Sequence, residues 1–103
     1  MVKVVLNPDV AYKAIVAEGR ENILIAHLDT LVKAIDQNRS FITNGVAWAF
    51  YDFRVAYIHE SVKASLKYLP DLFEAIDNIR PKPISVIANA KRNIENDLGL
   101  AAE

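Results

Sequence analysis

The sequence has no cysteine among its 103 residues, so it can form no disulfide bond, thiolate nucleophile or cysteine-based metal site. It also has no apolar run near the roughly 18 residues that a membrane-spanning helix needs, because the longest such run covers residues 46–51. The apolar start of the chain is too short for a signal peptide and is interrupted by a proline at position 8. These absences predict a cytoplasmic protein that makes no contact with a membrane.

Neither sign of charge dominates, since 12 lysines and arginines face 13 aspartates and glutamates and leave a net charge of -1. A general attraction to nucleic acid or to an anionic membrane is therefore absent. Hydrophobic residues make up 52% of the chain, which argues against disorder. A chain of this length fits a single domain, residues 1–103, and buries less of its surface than a larger protein does. We therefore expect part of the apolar surface to be buried in a homodimer.

Glycine and proline are few as well, with three and four residues, and they fall at the boundaries of segments with helical periodicity. This pattern predicts an all-α fold, a small bundle of four to five helices joined by short loops. The first helix is capped by Asn7 and ends at Gly19, and the second covers about residues 21–37. The β-branched residues 2–6 precede the bundle as a short strand or a tail.

The segment of about residues 44–68 predicts a long central helix with two apolar stripes at helical spacing. One stripe begins with Ala47, Tyr51, Val55 and Ile58, and the other with Val46, Phe50, Phe53 and Tyr57. A helix that is apolar over so wide an arc is normally contacted from several sides. Trp48 lies toward the edge of the arc, where a tryptophan that stays exposed is a good interface anchor. The interaction residues predicted on this helix are Trp48, Tyr51, Arg54 and Ile58.

Arg54 places a positive charge within the apolar arc, close to Phe50 and Ile58. A buried guanidinium is costly unless it is paired, so its surroundings decide its role. In one interpretation the stem is buried while the tip reaches water or an acid on a neighbouring helix. In the other, Arg54 contacts a ligand, a nucleic-acid phosphate or a dimer partner. The sequence leaves both interpretations open.

Arg54 and His59 together make an Arg-x4-His spacing that is similar to the motif of the HEPN-type helical ribonucleases. The resemblance covers these two positions and implies an RNA-cleaving domain in which both side chains act on RNA. The family usually has a polar residue after the arginine, where this chain has Val55. Five residues on a straight helix also separate two side chains by about 140°, so the pair does not share a face.

No other enzymatic pattern is present, because the sequence has neither a glycine-rich phosphate loop nor a nucleophile with a base nearby. His27, the second histidine, has no histidine partner four residues away along a helix. We therefore predict no catalytic residues, no metal site and no cofactor.

Beyond Pro70 the sequence predicts a short helix at about 71–79 and a last helix that is capped by Ser85 and continues to Leu98. From residue 80 to residue 92 the chain has four basic side chains and no acid. These are the candidate contacts to an anion or to nucleic acid: Arg80, Lys82, Lys91 and Arg92.

The first hypothesis for function is a non-enzymatic helical protein that works through a protein–protein contact, with a second copy of itself or with another protein. It depends on the wide apolar arc of the central helix. The first alternative is nucleic-acid binding through residues 80–92, and the second is an RNA-cleaving domain that uses Arg54 and His59.

Overall fold

The computed structural model describes residues 7–79 and 84–99. Within these ranges the chain forms six α-helices and a 3-10 turn and contains no β-strand, which confirms the all-α prediction for them. The helices are α1 (Pro8–Ala17), α2 (Glu21–Gln37), α3 (Asn44–His59), α4 (Val62–Leu66), α5 (Leu69–Asp77) and α6 (Ser85–Asp97). The strand or tail predicted at residues 2–6 lies outside the described residues.

The first two helices begin and end where the sequence predicts. The side chain of Asn7 caps α1 by accepting hydrogen bonds from the backbone N–H groups of Asp9 and Val10, at 3.0 and 3.2 Å. Gly19 follows α1 with a φ of +69°, a backbone conformation that favours glycine. Helix α2 then buries one stripe of its surface, whose largest members are Leu24, Leu28, Leu31 and Ile35.

The long central helix predicted at about 44–68 is divided in the structure. Helix α3 ends at His59, and the backbone N–H groups of Glu60 and Ser61 both donate to the carbonyl of Ala56. Ser61 then adopts an extended conformation, and its hydroxyl accepts from the N–H of Ala64 at 3.0 Å to cap α4. A serine competes well as a cap and poorly inside a helix, because its hydroxyl can replace a backbone partner. This break makes six helices from the four to five predicted.

The dimensions of the molecule indicate two layers of helices. The molecule measures 38 × 32 × 18 Å, and packed helix axes lie about 8–10 Å apart, so the shortest dimension has room for two helices. Helix α2 packs mainly on α6, while α3 packs mainly on α4 and α5. A helix in two layers has one face on the core and one face outward. The largest fully buried side chains come from every helix: Ile15, Leu24, Leu28, Leu31, Ile35, Phe50, Phe53, Leu66, Leu69, Leu72, Ile76 and Ile87.

The last two helices differ slightly from the prediction. Helix α5 begins at Leu69 with Pro70 in its first turn, two residues before the expected start. Ser85 is the first residue of α6, and its side chain makes no capping hydrogen bond, so the predicted cap is wrong. None of the helices in the described ranges is long and apolar enough to cross a membrane.

Candidate functional site

The most exposed apolar surface of α3 is a row of four side chains, which we call the α3 strip. Their exposed fractions are 72% for Trp48, 62% for Tyr51, 38% for Val55 and 57% for Ile58. The spacings of three, four and three residues place them on one side of the helix. The other stripe of α3 supplies the core with Val46, Phe50 and Phe53, which are buried. The α3 strip is open because the described fold has no third layer to cover it.

The sequence prediction named three members of the α3 strip and placed Val55 in the same stripe. The predicted surroundings of α3 were wrong, because the sequence pattern predicted that the helix would be contacted from several sides. The structure covers one stripe and leaves the other exposed. Trp48 is the member of the strip nearest the polar side of the helix, which is the edge position that the sequence predicted.

Arg54 borders the α3 strip on one side. The residue is half-buried, and its Nε atom is buried without a hydrogen-bond partner. No described residue forms an ion pair with it. A buried donor without a partner costs roughly 1–3 kcal/mol. In the first interpretation that the sequence left open, the tip reaches water or an acid on a neighbouring helix, and only the acid is ruled out among the described residues.

The opposite side of the α3 strip borders a groove between α3 and α5, with a volume of about 560 Å³. Three carboxylates line this groove, Asp52 from α3 and Asp71 and Glu74 from α5, and all three are exposed. None of them pairs with a cation among the described residues. Trp48 lines the same groove. At 100° per residue, Asp52 and Arg54 lie about 160° apart around the helix, so the strip has a negative and a positive border.

Tyr57 belongs to the covered side of α3 and connects it to α2. Its hydroxyl donates to the Asp29 carboxylate at 2.6 Å, and its ring stacks on Phe53 with ring centres 5.6 Å apart. Burial, and then the hydrogen bond to Asp29, raise the pKa of Tyr57 well above its ordinary value. This tyrosine is therefore neutral near pH 7 and acts as a structural link.

The two residues of the ribonuclease-like spacing lie on α3 without a shared face. His59 is the last residue of the helix and is exposed, and its side chain makes no hydrogen bond with a described residue. Arg54 and His59 lie toward opposite borders of the α3 strip, because five residues along a helix separate two side chains by about 140°. Within one chain, the structure does not bring Arg54 and His59 together over a common substrate position.

His27 has a partner that no local sequence pattern indicates. Its Nδ1 atom is hydrogen-bonded to the carboxylate of Asp97, which lies 70 residues away at the end of α6. Arg20 donates to the backbone carbonyl of Asp97 at 2.9 Å, so the start of α2 and the end of α6 are tied at two points. No group of three His, Asp or Glu side chains within residues 7–79 and 84–99 is arranged to hold a metal ion.

One of the basic side chains predicted to bind an anion in the segment 80–92 is instead engaged by acidic side chains of the protein itself. Lys91 is only 13% exposed and lies 3.0 Å from Glu95 and 3.3 Å from Asp77. Its ammonium group also lies 5.6 Å from the centre of the Phe73 ring. Arg92 is exposed on α6, whereas Arg80 and Lys82 lie outside the described residues. Lys91 is therefore a structural link between α5 and α6.

No protein-family model, no curated protein and no solved structure matches this chain. Among the described surfaces, the α3 strip combines the largest exposed side chain, Trp48, with charges of both signs on its borders that have no ion-pair partner among the described residues. It is the candidate functional site.

Proposed function

We propose that the protein acts through a protein–protein contact made by the α3 strip, and that its partner in this contact is a second copy of the chain. The observation that carries the proposal is the exposure of four large apolar side chains on one side of α3. Aromatic anchors such as Trp48 and Tyr51 contribute strongly to interfaces because they bury much area at a low cost in conformational entropy.

A second copy fits this surface because the surface complements itself. In a two-fold dimer each copy presents the same patch, so the four apolar side chains occur twice and bury one another. The positive border of one copy is also available to the negative border of the other. Each substitution in the strip removes two sets of contacts at once, so the dimer is sensitive to single changes.

The proposed dimer is a non-enzymatic assembly in the cytoplasm. The lack of cysteine fits a reducing compartment. The four side chains of the α3 strip include no pairing of a nucleophile with a base, so we assign the strip a binding role. Nucleic-acid binding by the 80–92 segment has less support than the sequence suggested, because Lys91 is engaged by two carboxylates.

The experiment is a measurement of molar mass by light scattering across a concentration series. We expect the parent chain to approach twice the mass of the monomer as its concentration rises. Ile58→Lys places a charge in the strip and should return the protein to the monomer mass. The matched control is Ile23→Lys, because Ile23 is 51% exposed on α2 and Ile58 is 57% exposed on α3.

Two results would count against the proposal. A parent chain that stays monomeric at every concentration has no self-contact of this kind. Equal weakening of the dimer by Ile58→Lys and Ile23→Lys would show that added charge, rather than the α3 strip, controls association. Thermal unfolding followed by circular dichroism checks that both variants keep the fold.

A further inference from the structure

The two borders of the α3 strip carry opposite charge, so the strip is asymmetric across its width. Arg54 is the cation on one border, and Asp52 is the acid that α3 itself places on the other. The groove beside Asp52 adds Asp71 and Glu74 to the negative border. Arg54, Asp52, Asp71 and Glu74 all lack ion-pair partners within the described residues. These charges are therefore available to a partner.

We infer that the two copies pack with their α3 helices parallel and in register, so that Arg54 of each copy enters the acidic groove of the other. This inference rests on the proposed function, since it specifies the geometry of the same contact. The occupant of the groove is thus the arginine side chain of a second copy.

The two-fold arrangements of a helix pair differ in which borders meet. In a parallel pair, the positive border of each helix faces the negative border of its partner, as flanking positions do in a parallel coiled coil. In an antiparallel pair, like borders meet, so Arg54 faces its own copy and the two acidic grooves face each other. Like charges in such a contact are unfavourable, and opposite charges are favourable. The charge pattern therefore selects the parallel pair.

The distances along the helix agree with this pairing. Asp52 and Arg54 are two residues apart, which corresponds to about 3 Å along the helix axis. In an in-register pair, the long side chain of Arg54 spans that offset without a shift of either helix. The groove also offers the indole of Trp48, so a guanidinium group there meets an aromatic face together with carboxylates.

Cysteine scanning tests whether the two α3 helices are parallel or antiparallel. The chain has no cysteine of its own, so no other thiol can form a competing disulfide. Three variants place one cysteine each along the strip: Tyr51→Cys, Val55→Cys and Ile58→Cys. In a parallel, in-register pair each cysteine lies opposite its own copy, so each variant forms a disulfide-linked dimer on mild oxidation. The readout is the dimer fraction on a non-reducing gel, and Ile23→Cys on α2 is the control.

An antiparallel pair gives a different pattern. Positions 51 and 58 are about 10 Å apart along the helix, and a disulfide needs Cα atoms within roughly 7 Å. Only the position next to the two-fold axis can then link to its own copy. Efficient linkage of all three variants supports the inference, and linkage of one variant alone overturns it while the proposed contact through α3 stands. If all three cysteine variants are dimers by mass and none of them links, both the inference and the proposed contact through α3 are overturned. A parent chain that is monomeric throughout has the same consequence.

A charge exchange tests the pairing of Arg54 with the acidic border. Arg54→Glu and Asp52→Arg should each weaken dimerisation by about tenfold or more, because each creates like charges at the contact. The double variant Arg54→Glu/Asp52→Arg should regain part of the affinity that each single change removes, because the new pair is attractive while Asp71 and Glu74 still face the new glutamate. A double variant as weak as the two single changes combined would contradict the pairing. If Arg54→Glu fails to fold, the cysteine scan still decides the direction, since it leaves Arg54 in place.

Discussion

Helices α2 and α3 are nearly equal in length, with 17 and 16 residues, but their apolar surfaces are buried to different extents. The leucine stripe of α2 is covered by α6, and its main members are fully buried. Helix α3 has two apolar stripes, one buried and one exposed. The difference shows that periodicity identifies which residues share a face, whereas the number of layers decides whether that face is covered.

The largest effect expected from this comparison separates the two sides of α3 itself. Phe53 is fully buried, so Phe53→Ala should lower the free energy of unfolding by about 3–5 kcal/mol. Tyr51→Ala, two residues away on the exposed strip, should leave the stability of the monomer nearly unchanged and weaken dimerisation instead. Urea unfolding at low protein concentration measures the first effect, and light scattering measures the second. Similar losses of monomer stability in both variants would mean that the α3 strip is not an open surface.

A second contrast concerns the polar contacts of α6, the helix that covers α2. Lys91→Met should lower the free energy of unfolding by about 1–3 kcal/mol, because Glu95 is mostly buried and loses its cation. Arg92→Met changes the neighbouring exposed cation and should have little effect. Thermal and urea unfolding of both variants make the comparison.

The same pair of variants also bears on nucleic-acid binding. If the 80–92 segment binds nucleic acid, Arg92→Met should reduce a salt-sensitive affinity, measured by fluorescence anisotropy with a labelled oligonucleotide. An undetectable affinity of the parent chain at low salt would remove that alternative. A Lys91→Met variant as stable as the parent would show instead that the lysine is not a structural link.

Much of the fold follows from the sequence because its signals are local. The bounds of α2 come from a leucine stripe and a following polar loop, and the cap of α1 comes from Asn7 and Pro8. The break between α3 and α4 was missed because Ser61 lies inside an apolar pattern that continues on both sides. Whether a serine caps a new helix or stays within one depends on contacts formed only in the folded chain.

The apolar members of the candidate site and Arg54 on its positive border were visible in the sequence, whereas the acidic border was not. Trp48, Tyr51 and Ile58 share a face by spacing alone, and the anomaly of Arg54 is visible in the sequence. The acidic groove joins side chains of α3 and α5, about 20 residues apart in the chain, through the packing of the two helices. Contacts such as His27 with Asp97 are likewise tertiary, so no local pattern indicates them.

The break that ends α3 gives a smaller and more local effect. Ser61→Ala removes the hydroxyl that caps α4 and should lower the free energy of unfolding by about 1 kcal/mol. Ser61→Asp keeps an acceptor at the cap and should retain most of the stability. Urea unfolding of both variants is the measurement. Equal losses in the alanine and aspartate variants would mean that the hydroxyl does not determine where α4 begins.

The smallest effect expected is a pH dependence at the link between the two compared helices. Tyr57 ionises near its ordinary pKa of 10.0 in the unfolded chain, whereas burial and the bond to Asp29 raise the pKa in the folded chain. Its contribution is therefore complete below pH 10 and is lost as the pH rises above that value. Tyr57→Phe should be less stable near pH 8, because the bond to Asp29 is absent, and should lose less stability between about pH 9.5 and 11. The measurement is urea unfolding across that range, with Tyr51→Phe as the exposed control. Identical slopes for the parent chain and Tyr57→Phe would show that this hydroxyl is as accessible to water as that of Tyr51, and that α2 and α3 are not joined there.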